Sequence, residues 1–391
     1  MPVVNRIADF HADMTAWRRD LHAHPELAYE EHRTADMVAS KLAEFGIGVR
    51  RGLGGTGVVG TLRGSGGGGR AIGLRADMDA LPIQEANDVP HVSRNPGRMH
   101  ACGHDGHTTM LLGAARYLAE TRNFDGTVHF IFQPAEEGRA GARAMMADGL
   151  FREFPVEAVY GLHNWPELEP GTMTVHDGPV MAAADQIEIT VTGQGAHAAM
   201  PHLGVDPIAV AAQIVTAAQT LVSRSTDPLD AAVLSITTIN AGSTFNVIPA
   251  EARLTGTVRS FRPETQDRLE AQLRRLVTGI AAAMGATADL VYRRGYPVTR
   301  NSAAETEVAA GVAARLVGAE RLRRDLPPSM GAEDFGFMLA EIPGCYAWIG
   351  QGGSALGCTL HNPRYDFNDD ILPLGASYWA TLVETTLPRS P

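Results

Sequence analysis

Cysteine is scarce in this chain: Cys102, Cys345 and Cys358 are the three thiols in 391 residues. Three cannot build a disulfide scaffold, and such usage fits a reducing compartment. Cys345 and Cys358 read as ordinary core or near-core thiols. Long apolar runs are also missing, so no membrane span is expected. Positive charge is in deficit, with 33 Lys and Arg against 44 Asp and Glu and a net charge of −11. An acidic surface argues against nucleic acid or an anionic membrane as the main partner. Asp9, His11, Asp13, Arg18, Arg19 and Asp20 interrupt any apolar leader in the first twenty residues, so a cytoplasmic protein is expected. Two catalytic signatures do not occur. There is no Gly-x-Ser-x-Gly elbow and no His-Glu-x-x-His helix motif.

A composition of 45% hydrophobic and 20% charged residues is that of an ordinary soluble globular protein. The length exceeds what one core serves comfortably, so two domains are expected. Helical spacing of apolar residues predicts two helices within 5–45, broken at Pro25. The period then shortens to strands at 46–51, 56–62 and 71–77. Within this stretch Gly52-Leu53-Gly54-Gly55-Thr56-Gly57 matches the dinucleotide pattern GxGxxG. A strand pattern follows it where the pyrophosphate would need a helix N-terminus, so nucleotide binding is not expected. Helix at 108–120, strand at 126–133, helix at 141–148 and strand at 158–164 make an α/β alternation with a largely parallel sheet. From 186 the order changes to strand 186–192, helix 207–222, strands 231–239 and 251–260, helix 263–284 and strand 288–294. This βαββαβ order is ferredoxin-like. The α/β pattern returns from about 296, with helix 305–317, a short segment 335–339, strand 345–349 and a final helix.

Chemistry is concentrated at 99–107, where Met99-His100-Ala101-Cys102-Gly103-His104-Asp105-Gly106-His107 carries a thiol, three imidazoles and a carboxylate. Cys102 and His104, two apart on a loop or extended segment, point the same way and suit a transition metal. Glu136-Glu137 follows the apolar strand 128–132 at a bend, where one carboxylate can face a metal and the other a water. Asp77 and Asp79 end another strand and suit a pair that orients histidines. Asp77, Gln133–Glu137 and His163 all fall at strand ends, where open α/β sheets bind ligands. His163, His361, His197, Asn246 and Arg259 are each ambiguous alone.

Eight stretches in order carry a resemblance over nearly the whole chain: RDLHAHPEL at 19–27, RADMDALP at 75–82, HACGHDGH at 100–107, FQPAEEG at 132–138, GLHN at 161–164, GAHA at 195–198, MGAEDF at 330–335 and HNP at 361–363. The chain resembles the aminoacylase/carboxypeptidase superfamily of dinuclear metallohydrolases. Its amidohydrolase branch (hippurate hydrolases, N-acyl amino acid deacylases, auxin-conjugate hydrolases) is the nearer match. The resemblance implies a metallopeptidase-type α/β catalytic domain with a mixed, largely parallel sheet flanked by helices, over 1–182 and 296–391. A ferredoxin-like lid and dimerisation domain is implied over 183–295.

The same resemblance implies two divalent ions per subunit, of manganese, zinc, cobalt or nickel, on Cys102, His104, Glu137, His163 and His361. Glu136 matches the general base and Asp79 its supporting aspartate. His197 matches a lid histidine that reaches the site of a partner subunit and polarises the scissile carbonyl. Asn246 and Arg259 match substrate-binding residues. Asp77 stands where many members of the superfamily place a metal-binding histidine. The implied partners are a small N-acyl amino acid substrate and a second copy in a two-fold homodimer. A dipeptidase on the same scaffold is the alternative activity. A metal-binding protein without turnover is a third reading, against which the intact Glu136 argues.

Overall fold

The computed structural model describes residues 3–353 and 359–389. Cys358 lies outside the described residues. The chain divides into two compact units, one comprising Met1–Val180, Arg300–Pro327 and Asp334–Pro391, the other Met181–Thr299 and Pro328–Glu333.

The first unit is built on an eight-stranded sheet. In spatial order its strands are Gly48–Leu53, Gly57–Arg63, Thr127–Gln133, Ala71–Asp77, Ala158–Trp165, Gly344–Gly350, Met173–Thr174 and Leu322–Arg323. The four strands from Thr127–Gln133 to Gly344–Gly350 run parallel to one another. Antiparallel pairing flanks them on both sides. These parallel strands are near-continuous apolar runs because both of their faces are covered. Alternation along each strand still separates two faces. Leu74, Phe130, Tyr160 and Ala347 enter the main apolar core together with Met110, Leu111 and Trp379 of the long helices. Arg75, Asp77, Gln133 and His163 take the alternate positions. The helices His104–Thr121 and Leu372–Thr386 pack closely; a Cβ at Gly375 would lie 2.0 Å from Met110 Sδ.

The Gly52–Gly57 stretch is the turn of an antiparallel hairpin, with Gly52, Gly54 and Gly55 at positive φ. The expected helix from residue 108 begins at His104 and runs to Thr121. Cys102 and His104 therefore do not share an extended segment, and Gly103 between them caps the helix. Two-residue strands such as Met173–Thr174 and Leu322–Arg323 escape sequence reading because they are too short to show a period.

The second unit holds a four-stranded antiparallel sheet in the order Ala232–Ala241, Glu251–Ser260, Ala183–Thr192, Thr287–Tyr296. Its core joins Ile187, Ile189, Val191 and Leu254 of the sheet to Val210 and Ile214 of one helix and Leu273 and Val277 of the other. Asp206 caps the first of these helices by accepting the Ile208 N–H at 2.9 Å, with Pro207 at its first position. Among the described residues no helix is long and apolar enough to cross a membrane.

Candidate metal centre

The parallel strands Ala71–Asp77, Thr127–Gln133 and Ala158–Trp165 deliver Asp77, the Gln133–Glu137 bend and His163 to one edge of the sheet in the first unit. Gly103 stands at φ 92°, and a Cβ there would be 2.4 Å from Asn164 Oδ1. Glycine alone fits that turn, which sets Cys102 on the loop and His104 in the first helical turn.

Asp79 fixes the glutamate pair. Its Oδ1 accepts the Glu136 N–H and its Oδ2 the Glu137 N–H, both at 3.0 Å.

Four groups of donor atoms lie together, each within 4.8 Å: Cys102–His104–His163, Cys102–Glu137–His361, His104–Glu136–Glu137 and Asp77–His104–His107. Cys102 belongs to two of them. Ligand atoms about 2.0–2.3 Å from a shared tetrahedral ion stand roughly 3.3–3.8 Å apart. Cys102 Sγ is 3.5 Å from His163 Nε2, and His361 Nε2 is 3.1 Å from Glu137 Oε1. Both ring nitrogens of His104 are buried without a hydrogen-bond partner among the described residues. The nearer one, Nδ1, lies 3.3 Å from Asp79 Oδ1 but not in the direction a hydrogen bond needs. A buried, unpartnered imidazole beside a thiol and carboxylates fits a metal ion as the missing partner.

The electrostatics agree. Burial and the Glu137 carboxylate push the Cys102 thiol up. Burial pulls His104 down, but Asp77, Asp79 and Cys102 outweigh it and hold the imidazole well above its usual range. The adjacent Cys102 thiol and Glu137 carboxylate raise His361 to about 10. Protons thus stand where a divalent cation would compensate the same negative groups.

Asp77 is otherwise engaged. Its Oδ2 accepts Arg75 Nη1 at 2.7 Å and its Oδ1 is 2.6 Å from His107 Nδ1. His107 Nε2 lies 2.7 Å from Asn164 Oδ1, and Asn164 Nδ2 donates to Gln351 Oε1 at 2.7 Å. Asp77 therefore orients His107 and, through it, the Asn164 segment beside His163. The sequence alone assigns no role to Arg75, Gln351 or Tyr365 of this layer, because an arginine within a strand or a tyrosine in a loop carries no local sign of burial.

Behind the helix N-terminus, His22 Nδ1 pairs with Asp105 Oδ2 at 2.8 Å and Nε2 with Glu85 Oε1 at 3.2 Å. Burial lowers His22, but Asp105 and Glu85 raise it overall from 6.5 to about 9. A cationic group raised by folding stabilises fully below its unfolded pKa and loses that contribution as pH rises through the folded one. The full shift corresponds to roughly 3–4 kcal/mol, of which about 2–3 kcal/mol is still present at pH 7. Urea unfolding should therefore show the wild-type chain losing about that much between pH 7 and pH 10, with the loss absent in His22→Gln. Equal losses in both chains would remove the pair as the cause.

In the second unit, His197 and Asn246 come together. The strand Ala196–His197 pairs with Val247–Ile248, and the Ala198 N–H donates to Asn246 O at 3.0 Å. Both residues are exposed. Arg259 lies near the far end of Glu251–Ser260, roughly 27 Å along that strand from its start. Its Nη1 donates to Val258 O at 3.2 Å and to the Thr257 hydroxyl. The structure does not bring Arg259 to the His197–Asn246 pair of the same chain.

Residues 73–385 match the model of peptidase family M20/M25/M40. The chain is 41% identical to the hippurate hydrolase of Campylobacter jejuni, over 98% of each chain. It is 40% identical to an N-acetylcysteine deacetylase of Bacillus subtilis, over 97% of this chain and 98% of that one. The crystal structure of Bacillus subtilis YxeP, described as a dinuclear metal binding peptidase of the M20 family, superposes with a TM-score of 0.85 at 37% identity, covering 97% of this chain and 99% of that one. With the donor set above, these likenesses make the centre a divalent-metal site. The chain belongs to peptidase family M20/M25/M40.

Proposed function

We propose that this protein is a metal-dependent amidohydrolase that cleaves the amide bond of N-acyl amino acids, releasing a carboxylic acid and a free amino acid. The observation that carries the reading is one bend, held by Asp79, that presents Glu136 beside the Cys102, His104, Glu137, His163 and His361 donors. Relatives named for hippurate and N-acetylcysteine hydrolysis support the substrate class.

Cys102, His104, Glu137, His163 and His361 would hold two ions, with Cys102 serving both groups; manganese, zinc, cobalt and nickel suit the thiolate, imidazole and carboxylate mixture. When bound, such a pair supplies Lewis acidity that acidifies water and polarises a carbonyl. Glu136 takes the proton of the attacking water and delivers it to the leaving amine nitrogen. His197 and Asn246, exposed and adjacent in the second unit, serve a partner's site in a two-fold homodimer. There His197 donates to the developing oxyanion and Asn246 holds the substrate carboxylate. Arg259, at the other end of its sheet, serves a different site from the His197 of its own subunit. The compartment proposed is the cytoplasm.

Protein stripped with chelator and resupplied with each metal should cleave N-acetyl and N-benzoyl amino acids, and free dipeptides far more slowly. Metal-restored cleavage of dipeptides alone would replace this reading with a dipeptidase.

A further inference from the structure

The turn between the helices His11–Ala23 and His32–Glu44 carries a carboxylate that the chemistry above leaves unused. Glu31 is fully buried. Its Oε1 accepts the Ala135 N–H at 2.8 Å and the Tyr29 N–H at 2.9 Å, and its Oε2 accepts the Thr56 hydroxyl at 2.6 Å. Tyr29, itself at φ 66°, donates its hydroxyl to Arg139 O at 2.8 Å. Ala135 immediately precedes Glu136, and Arg139 ends the same short segment. One turn thus grips both ends of the stretch that bears Glu136 and Glu137.

That stretch has reason to be gripped. Ala135 stands at φ 56° and ψ 41°, Gly138 at φ 75° and Ala140 at φ 57°. Alanine is disfavoured in the left-handed region. Such conformations persist only where their surroundings over-determine them. Asp79 holds the middle of the stretch; Glu31 and Tyr29 hold its ends.

Stability alone gives no account of Glu31. Burial pushes its carboxyl above the usual carboxylate range, and Asp79 adds to this against the Thr56 bond. A carboxylate raised by folding works against stability at neutral pH. What Glu31 supplies instead is two acceptor oxygens that hold the Ala135 and Tyr29 N–H groups and the Thr56 hydroxyl in fixed positions.

We propose that Glu31, together with Tyr29, is a positioning clamp that fixes the Glu136–Glu137 turn, aiming the proton acceptor and its neighbouring ligand. The inference rests on the reading of Glu136 given above. Its test is amide hydrogen exchange and steady-state kinetics on metal-loaded wild-type, Glu31→Ala, Glu31→Gln and Tyr29→Phe proteins. In Glu31→Ala, exchange should quicken across 134–141 while the strand Thr127–Gln133 and the helix His104–Thr121 keep their protection. A misplacement on the order of 1 Å lowers rate about 100-fold, so kcat should fall by about that factor with KM unchanged. Glu31→Gln keeps an acceptor for the Ala135 N–H and should stay near wild type in both readouts.

Tyr29→Phe removes one hydroxyl, leaves the fold intact and should quicken exchange at the Arg139 end with a smaller fall in kcat. It decides the matter by itself should Glu31→Ala fail to fold. Wild-type exchange and kcat in Glu31→Ala or in Tyr29→Phe would overturn the clamp, as would a Glu31→Gln protein as impaired as the alanine variant. Retained turnover in Glu136→Gln would instead sink the reading of Glu136 and leave the exchange result standing.

Discussion

Glu136→Gln is expected to lower kcat by about 10³-fold or more, within or beyond the range that a positioned general base contributes, while the protein keeps its metal and its melting temperature. The two expectations have different structural origins. The Glu136 side chain lies with His104 and Glu137, and glutamine in its place cannot accept the proton of water. The backbone of the bend is held through the Ala135, Glu136 and Glu137 N–H groups, donated to Glu31 and Asp79. Glutamine also keeps the side-chain oxygen toward which the Asp334 N–H points at 3.4 Å. Turnover and metal stoichiometry measured on one preparation separate the roles. Full metal with turnover near wild type would remove Glu136 as the base. Lost metal would make it a ligand.

Cys102→Ala is expected to weaken metal binding by more than the 10–100-fold typical of losing a supporting contact, because Cys102 Sγ belongs to both groups, with His104 and His163 and with Glu137 and His361. Turnover should fall with occupancy and return only partly at high metal concentration. Burial raises the wild-type thiol, so binding releases a proton from it, and apparent affinity should climb with pH more steeply in the wild type than in the alanine variant. Metal content by mass spectrometry after dialysis, repeated across pH, checks both points. Unchanged stoichiometry and an unchanged pH slope would show that the sulfur touches no ion.

Tertiary structure corrected the expected backbone around that thiol. The Cys-x-His spacing suggested a loop or extended segment carrying both side chains on one side. Gly103 at φ 92° instead turns the chain straight into a helix. The two donors still face one centre, but through a turn whose space is fixed by Asn164 and Tyr365 from elsewhere in the chain. A glycine's φ is set by what crowds it, which no nearby residue announces.

The order of strands and helices, the βαββαβ pattern of the second unit and the clustering of thiol, imidazole and carboxylate groups were legible in the sequence. Each rests on short-range regularity: apolar period, turn residues and the density of reactive side chains within a few positions. Burial and pairing over long separations were decided only by the tertiary structure. Asp77, in the sequence one of a pair suited to orienting histidines, meets Arg75 two residues away and His107 thirty residues on. Glu31 follows Glu30 ahead of a helix and has the local look of a solvated acidic pair, yet it is buried against Ala135, more than a hundred residues away. Asn246 and Arg259 are both substrate-binding candidates in the sequence, yet Asn246 stands beside His197 while Arg259 lies near the far end of Glu251–Ser260. The sequence by itself determined which groups were available and which elements carry them. The fold decided which carboxylates face the metal centre and which hold the backbone, because that choice depends on contacts between segments far apart in the chain.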